Sequence, residues 1–392
     1  MQVLIQALKL HKPEKVGKDA QYAELTRAVC AALRNLAVDG WMAVARKYGM
    51  AAAPAAAAAG AQTAGAVPAM LALGGVEVIV EAMQVHKTDP HVQSQGCGML
   101  RNLSCGNIND KPSSQEAVRQ LYECGGVKAV LSAIRYNADD VGVVTQACGF
   151  LRNIATAYEW RGQLLSSGAV EAATRALSTH GGHREVCEQA SACLANLLHQ
   201  PLPAMAPSMA PSGAPMAAME PPTAAPEPSE EVLKGCKLSW RCDGIGAFIN
   251  PLLGRAKCSS RIAGNCCAGL ASLLNAEEEV TRATHEAMVG LMTGPVTPLS
   301  RVTLLYKEEL STVLQAGLCL CRLVVNAHAS EEATAKVEEE LRLLSRKQEL
   351  LQAIQRVQDR GGGREFACEP GFVVLMASLA PGEAVAVAGG EP

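Results

Sequence analysis

Apolar residues recur three and four positions apart along this chain, the spacing that predicts helices with one buried face. Two stretches show it best and resemble each other: residues 74–104, GGVEVIVEAMQVHKTDPHVQSQGCGMLRNLS, and residues 125–155, GGVKAVLSAIRYNADDVGVVTQACGFLRNIA. Each contains a Gly-Gly pair, an apolar helix, a polar break and a second helix that ends in Leu-Arg-Asn. The two copies predict an internal repeat and an all-α fold.

Four further segments align with these two copies on the asparagine near the end of the last helix. The aligned positions hold Asn35, Asn102, Asn153, Asn196 and, in two weaker units, Ser272 and Arg322. A leucine stands two residues before each: Leu33, Leu100, Leu151, Leu194, Leu270 and Leu320. A small residue stands five residues before each: Cys30, Cys97, Cys148, Ser191, Cys267 and Gly317. These offsets share one helical face, so they predict the core stripe of about six units.

Each unit is predicted to hold three helices, which in the third unit cover residues 114–123, 127–136 and 141–155. The glycines at 74–75, at 125–126 and at 168 supply the corner before the second helix, because glycine adopts a positive φ cheaply. Residues 3–12 match residues 78–87, so the first unit lacks its leading helix. We expect either a missing cap or a truncated chain at that end.

Changes in composition divide the chain into seven segments. The Ala/Pro-rich stretch 51–68 and the Pro/Ala/Met-rich stretch 201–229 are predicted to be disordered inserts, because frequent proline prevents a continuous helix. The repeats then occupy residues 1–50 (incomplete), 69–200 and 230–326, followed by a charged helix at 327–363 and a flexible tail at 364–392. The charged helix is interpreted as a cap on the last repeat or, alternatively, as a short coiled coil.

Composition excludes several classes of function. The net charge is −3 and aromatic residues make up 3%, so we expect no nucleic-acid partner. No apolar run is long enough to span a bilayer, and we expect no membrane insertion and a cytoplasmic protein that also reaches the nucleus. The fifteen cysteines lack CxxC spacing, so we interpret them as reduced core residues. His180 and His183 are the weak metal alternative; we predict no metal, cofactor, small-molecule substrate or catalytic constellation.

The Gly-Gly-Val entry and the Leu-Arg-Asn-Leu ending resemble the armadillo repeat, best over residues 74–199. The resemblance implies an armadillo-type α-solenoid, a right-handed superhelix of three-helix units whose last helices line a concave groove. It implies that this groove holds a peptide or a partner protein. The fold expected here is therefore an all-α armadillo solenoid of about six repeats.

The same resemblance assigns candidate groove residues. The matching asparagine of armadillo proteins bonds the backbone of an extended peptide, which would place Asn35, Asn102, Asn153 and Asn196 in the groove; the alternative is that they bond neighbouring helices within the solenoid. Arg34, Arg101 and Arg152 precede three of these asparagines and either pair with an acidic partner or brace adjacent repeats. Ser94 and Thr145, eight residues before Asn102 and Asn153, are expected on the same face.

Importin-α carries a tryptophan four residues before this asparagine, where the present chain has Ala31, Gly98, Gly149, Ala192 and Ala268. These small residues predict a smooth groove floor that is open to a partner helix. We therefore predict a non-catalytic scaffold or adaptor that binds a partner polypeptide. The alternatives are an exchange-factor-like regulator of a small GTPase and, disfavoured by the missing tryptophans, a nuclear-transport adaptor.

Overall fold

The computed structural model describes residues 2–10, 20–47, 70–105, 111–199, 228–253, 258–292, 297–326, 329–342, 346–357, 359, 369 and 371–379. Within these ranges every regular element is helical, which confirms the predicted all-α fold. The stretch 51–68 and nearly all of 201–229, predicted to be disordered, lie outside the described residues. In the segment 364–392, predicted to be a flexible tail, the structure describes Glu369 and residues 371–379, which include a helix at Phe372–Leu379. The chain forms two compact units, residues 1–197 and 198–392, each described by itself.

The first unit contains ten described α-helices and one 3₁₀ turn at Tyr158–Trp160. The helices are α1 (Gln2–Leu10), α2 (Ala20–Lys47), α3 (Gly75–Val85), α4 (Pro90–Ser104), α5 (Lys111–Glu123), α6 (Gly126–Tyr136), α7 (Val141–Ile154), α8 (Arg161–Ser167), α9 (Ala169–Thr179) and α10 (Arg184–Leu198). The third repeat (α5, α6, α7) and the fourth (α8, α9, α10) each show the three predicted helices.

Equivalent helices of successive repeats pack against each other. The third helices form one layer, in which α4 contacts both α2 and α7, and the second helices form another, in which α3 contacts α1 and α6. Each repeat thereby buries its apolar face against the next, which a single repeat cannot do alone.

Glycine makes the corner before the second helix in the second, third and fourth repeats, as the sequence predicts. Gly74, Gly125 and Gly168 have φ angles of 74°, 80° and 90°, values that side chains with a Cβ rarely adopt. The glycine after the corner is needed for space, because a Cβ on Gly126 would lie 2.7 Å from the carbonyl oxygen of Leu121. At the equivalent corner of the fifth repeat, Asp243 takes the positive φ, 62°.

The predicted core stripe is confirmed. All six aligned leucines and all four aligned cysteines are 0% exposed. Burial raises the pKa of the Cys30 and Cys148 thiols to about 12, so these thiols stay protonated and pack as small apolar side chains.

The second unit contains nine described helices. They are α11 (Glu230–Arg241), α12 (Gly244–Leu253), α13 (Ser260–Leu273), α14 (Glu278–Leu291), α15 (Pro298–Leu305), α16 (Leu310–Val324), α17 (Glu331–Arg342), α18 (Lys347–Val357) and α19 (Phe372–Leu379). The first six form the fifth and sixth repeats, whose third helices α13 and α16 pack together.

The charged segment after the last repeat was expected to be one helix, and this expectation is wrong. The structure has two helices, α17 and α18, and both contact α16 and the terminal helix α19. Val337 on α17 and Leu350 on α18 are both fully buried. Each of the two helices therefore buries an apolar face in the second unit.

Candidate partner-binding surface

The aligned asparagines connect consecutive third helices in the first unit. Asn102 Nδ2 donates to the carbonyl oxygen of Arg34 at 3.3 Å, Asn153 Nδ2 to that of Arg101 at 3.1 Å, and Asn196 Nδ2 to that of Arg152 at 3.2 Å. Each amide therefore bonds the backbone of the preceding repeat, the alternative that the sequence left open. Because a side-chain amide has two N–H groups and a carbonyl oxygen, this bond uses only part of its capacity.

The last repeat makes the same connection with a different side chain. Arg322 occupies the asparagine position and donates through Nη1 to the carbonyl oxygen of Ala271 at 2.6 Å. Its Nε and Nη2 also bond the carboxylate of Glu369, which is 8% exposed, at 3.0 and 2.5 Å. A carboxylate from the C-terminal segment is thus held at the position of the sixth repeat that aligns with the asparagines; we call this aligned position the ladder position.

The arginines before the asparagines lie across glycines of the following repeat. Arg34 Nη1 donates to Gln95 Oε1 at 3.1 Å, and Arg101 Nη1 donates to Gln146 Oε1 at 3.2 Å. A Cβ built on Gly98 would lie 2.5 Å from Arg34 Nε, and one built on Gly149 would lie 2.6 Å from Arg101 Nε. The smooth open floor expected at these glycines is therefore wrong, because arginine side chains cover it.

The fourth repeat departs from this arrangement where Ala192 replaces the glycine. Arg152 donates to Asn153 Oδ1 of its own helix, with Nη2 at 2.9 Å and Nε at 3.3 Å. Gln189, which corresponds to Gln95 and Gln146, has a buried Oε1 without a hydrogen-bond partner. Because a Cβ on Gly149 would lie 2.6 Å from Arg101 Nε, the Cβ of Ala192 is expected to exclude Arg152 from the equivalent position.

The arginines form a row of like charge. Burial and then the Arg152 and Arg34 guanidinium groups lower the pKa of Arg101, while burial lowers the pKa of Arg34. Among the described residues, Arg34 and Arg101 bond glutamine amides and no carboxylate. Their positive charge is therefore only partly solvated and is not neutralised by the part of the chain that the structure describes.

The remaining candidates differ in how much surface they offer. Asn35 is exposed and Ser94 is half-buried beside Gly142 of α7. Thr145 is 7% exposed and donates to the carbonyl oxygen of Val141 in its own helix, so we leave it out of the proposed contacts. We call the partly exposed residues of this surface the ladder face: Arg34, Asn35, Arg101, Asn102, Arg152, Asn153 and Asn196.

A second set of connections between repeats was missed by the sequence analysis. Asn137 Nδ2 donates to the carbonyl oxygen of Lys87 at 2.8 Å, and His180 Nε2 bonds that of Ala138 at 2.7 Å. Tyr306 makes the matching bond to Cys258 in the second unit. These residues all follow the second helix of their repeat, and that shared position was the available signal.

The bond to Ala138 gives His180 a structural role. This histidine and His183 are the weak metal-binding alternative of the sequence analysis. No group of three or more metal-ligating side chains occurs among the residues that the structure describes. Within the same residues, no helix combines the length and the apolar character required to cross a membrane.

Comparisons with known proteins agree with this architecture. No protein-family model matches the chain. Protein aardvark of Dictyostelium discoideum is 34% identical over 83 residues, which cover 21% of this chain and 11% of that protein. An engineered protein of known structure has a TM-score of 0.52 at 17% identity and covers 82% of this chain and 99% of its own. A designed armadillo repeat protein has a TM-score of 0.47 at 15% identity, with the same coverages.

The three-helix repeats and the packing of their equivalent helices give this chain an armadillo-like fold. The curated relative shares only a short stretch with this chain, so the chain spans about a tenth of that relative's length. The solved structures are alike in fold alone.

Proposed function

We propose that this chain is a non-catalytic scaffold that binds a partner polypeptide along the ladder face of its first unit. The carrying observation is periodicity: the same arginine and asparagine stand at the same place on α2, α4 and α7. Neighbouring helices pack about 8–10 Å apart, so identical polar groups recur at a regular distance. A polypeptide presents regularly spaced backbone groups and fits such a surface better than a small molecule does.

The hydrogen-bonding state of the amides indicates which ones are available to a partner. Asn153 Nδ2 lies within bonding distance of three acceptors, the Arg101 carbonyl oxygen, Ser104 Oγ and Cys105 Sγ. Asn102 and Asn196 each make a single bond to the preceding repeat, which leaves one N–H and the amide oxygen of each for a ligand. We therefore assign the partner contacts to Asn102, Asn196 and the exposed Asn35.

Site-specific photo-crosslinking tests this proposal without removing any bond between repeats. A benzophenone side chain would be placed at Asn35 or Ser94 on the ladder side, and at Arg135 or Arg175 on the exposed surface of second helices. Crosslinked peptides would be identified by mass spectrometry. We expect one defined partner segment to crosslink from Asn35 and Ser94. The same segment crosslinking only from the control positions would refute the proposal.

No contact among the described residues favours the exchange-factor role or the nuclear-transport role. Both stay predictions of the sequence. The identity of the crosslinked segment would separate them, because a small GTPase and a basic localisation signal give different peptides.

A further inference from the structure

The row formed by Arg34, Arg101 and Arg152 carries positive charge that the function proposed above does not by itself require. A backbone-binding surface needs donors and acceptors, which asparagine supplies. Arginine adds a permanent charge with donors in a planar fork.

Bracing between repeats explains the amide bonds of the arginines but not their charge. Each guanidinium of Arg34 and Arg101 has five N–H donors, and one bond to a glutamine oxygen uses one of them. Partial burial and like-charge neighbours both disfavour the charged form, and these costs would be avoided by a neutral side chain that donates the same single bond. A carboxylate placed on the row would offset them.

In the second unit, an arginine at the ladder position has both a hydrogen-bond acceptor in the preceding repeat and a carboxylate as counter-charge. Arg322 bonds the preceding repeat through Nη1 and holds Glu369 through Nε and Nη2. One arginine thus braces two repeats and binds a carboxylate at the same time. Its charge is neutralised by a segment that follows the repeats, since Glu369 lies outside the helices of the sixth repeat.

We infer that the arginine row of the first unit recognises the carboxylates of an acidic, extended polypeptide segment. This inference rests on the proposed function and specifies the chemistry of its ligand. The guanidinium groups that bond Gln95 and Gln146 bind glutamate or aspartate side chains with their remaining donors. Asn102 and Asn196 contact the backbone of the same segment.

Three synthetic peptides test the inference with the full chain. Each is about twelve residues long, roughly 40 Å when extended, which is enough to cross several third helices. One alternates glutamate with serine, one glutamine with serine, and one lysine with serine. Affinities are measured by fluorescence anisotropy at low and at high salt, since exposed ion pairs are screened by salt.

We expect the glutamate peptide to bind at least tenfold more tightly than the other two, and its affinity to fall as salt rises. The double variant Arg34→Gln/Arg101→Gln should lose about tenfold or more of that affinity, while Arg34→Lys/Arg101→Lys should lose less because the charge remains. Arg135→Gln/Arg175→Gln is the matched control, which removes two exposed charges from second helices and should bind like the wild type.

The outcomes separate this inference from the proposed function. Equal binding of the glutamate and glutamine peptides, abolished by Asn35→Ala/Asn196→Ala, would leave a polypeptide-binding surface and overturn its preference for carboxylates. Binding of the glutamate peptide that Arg34→Gln/Arg101→Gln does not change would overturn the role of the row. Absence of measurable glutamate-peptide binding would overturn the inference as well, while the crosslinking result still decides the proposed function. Circular dichroism of the helix content and the urea unfolding midpoint are recorded for every variant. Arg34→Lys/Arg101→Lys keeps both positive charges, so its comparison with Arg34→Gln/Arg101→Gln separates the loss of charge from a loss of folding.

Discussion

Arg101 of the second repeat lies across Gly149 of the third, so closely that a Cβ on Gly149 would come within 2.6 Å of Arg101 Nε. Beside it, Asn153 of the third repeat donates to the backbone carbonyl of the same arginine at 3.1 Å. The third repeat therefore holds Arg101 from two sides, by a bond to its backbone and by a glycine under its side chain, and the second repeat holds Arg34 in the same way. Each arginine is fixed in place and still presents its charge at the surface.

Replacing Asn102 with alanine should destabilise the first unit. The carbonyl oxygen of Arg34 would lose its partner between repeats, which costs about 1–2 kcal/mol for a partly buried group. Asn35→Ala is the control: this residue is exposed, so its free energy of unfolding should change by less than about 0.5 kcal/mol. Urea unfolding followed by circular dichroism measures both. Equal midpoints for the two variants would show that the Asn102 bond contributes nothing.

Glu369→Gln should destabilise the second unit strongly. The side chain of Glu369 is 7% exposed and pairs with Arg322, whose side chain is 21% exposed. Removing one charge leaves the guanidinium partly desolvated and without its counter-charge, which we expect to cost about 2–4 kcal/mol. Hydrogen exchange of α16 and α19 should rise in the variant.

A surface pair in the same unit provides the comparison for Glu369. Arg356 and Glu308 are 42% and 77% exposed and lie 3.2 Å apart. Glu308→Gln should therefore change the free energy of unfolding by about 0–1 kcal/mol. If Glu308→Gln costs as much as Glu369→Gln, burial is not the reason for the larger effect.

Acidification should weaken the second unit through His285. The ring is 2% exposed, and its Nε2 bonds the carbonyl oxygen of Leu323 at 3.0 Å. Burial lowers the pKa of His285 below its ordinary value of 6.5, although the bond to Leu323 and the neighbouring Glu286 oppose the shift. The unfolded chain then binds the proton more readily than the folded one, so stability falls as the pH drops below about 6.5, by at most about 1.4 kcal/mol per pH unit.

The urea midpoint of the wild type between pH 7.5 and 5.5 measures this effect, with His285→Gln as reference. The glutamine variant keeps a donor at that place but does not titrate, so its pH dependence should be flatter. Parallel curves for the two proteins would assign the acid sensitivity to other groups.

Core cysteines should resist alkylation in the native chain. Cys97 and Cys148 are fully buried, and burial raises the pKa of both thiols, so neither access nor thiolate is available to a reagent. The half-buried cysteines should be labelled before them: Cys105, Cys124, Cys242 and Cys258. Iodoacetamide labelling at pH 8, resolved by mass spectrometry over time, gives the order. Labelling of Cys148 as fast as that of Cys105 would contradict the packing described here.

The amino-acid sequence by itself determined the repeats, their three helices, the glycine corners and the core stripe. These features depend on residues close together in the chain: a period of 3.6 residues decides which side chains are buried, and a positive φ requires glycine. Leu100 and Cys97 could be placed in the core because their burial follows from the face of one helix. The armadillo-type fold follows from the same signals.

The tertiary structure alone decided how the ladder side chains are used. Asn102 and Arg34 are 68 residues apart in the chain, and their contact depends on how far one third helix is shifted along the next. Periodicity within a helix carries no information on that shift, which is why the open floor at Gly98 and Gly149 was predicted wrongly.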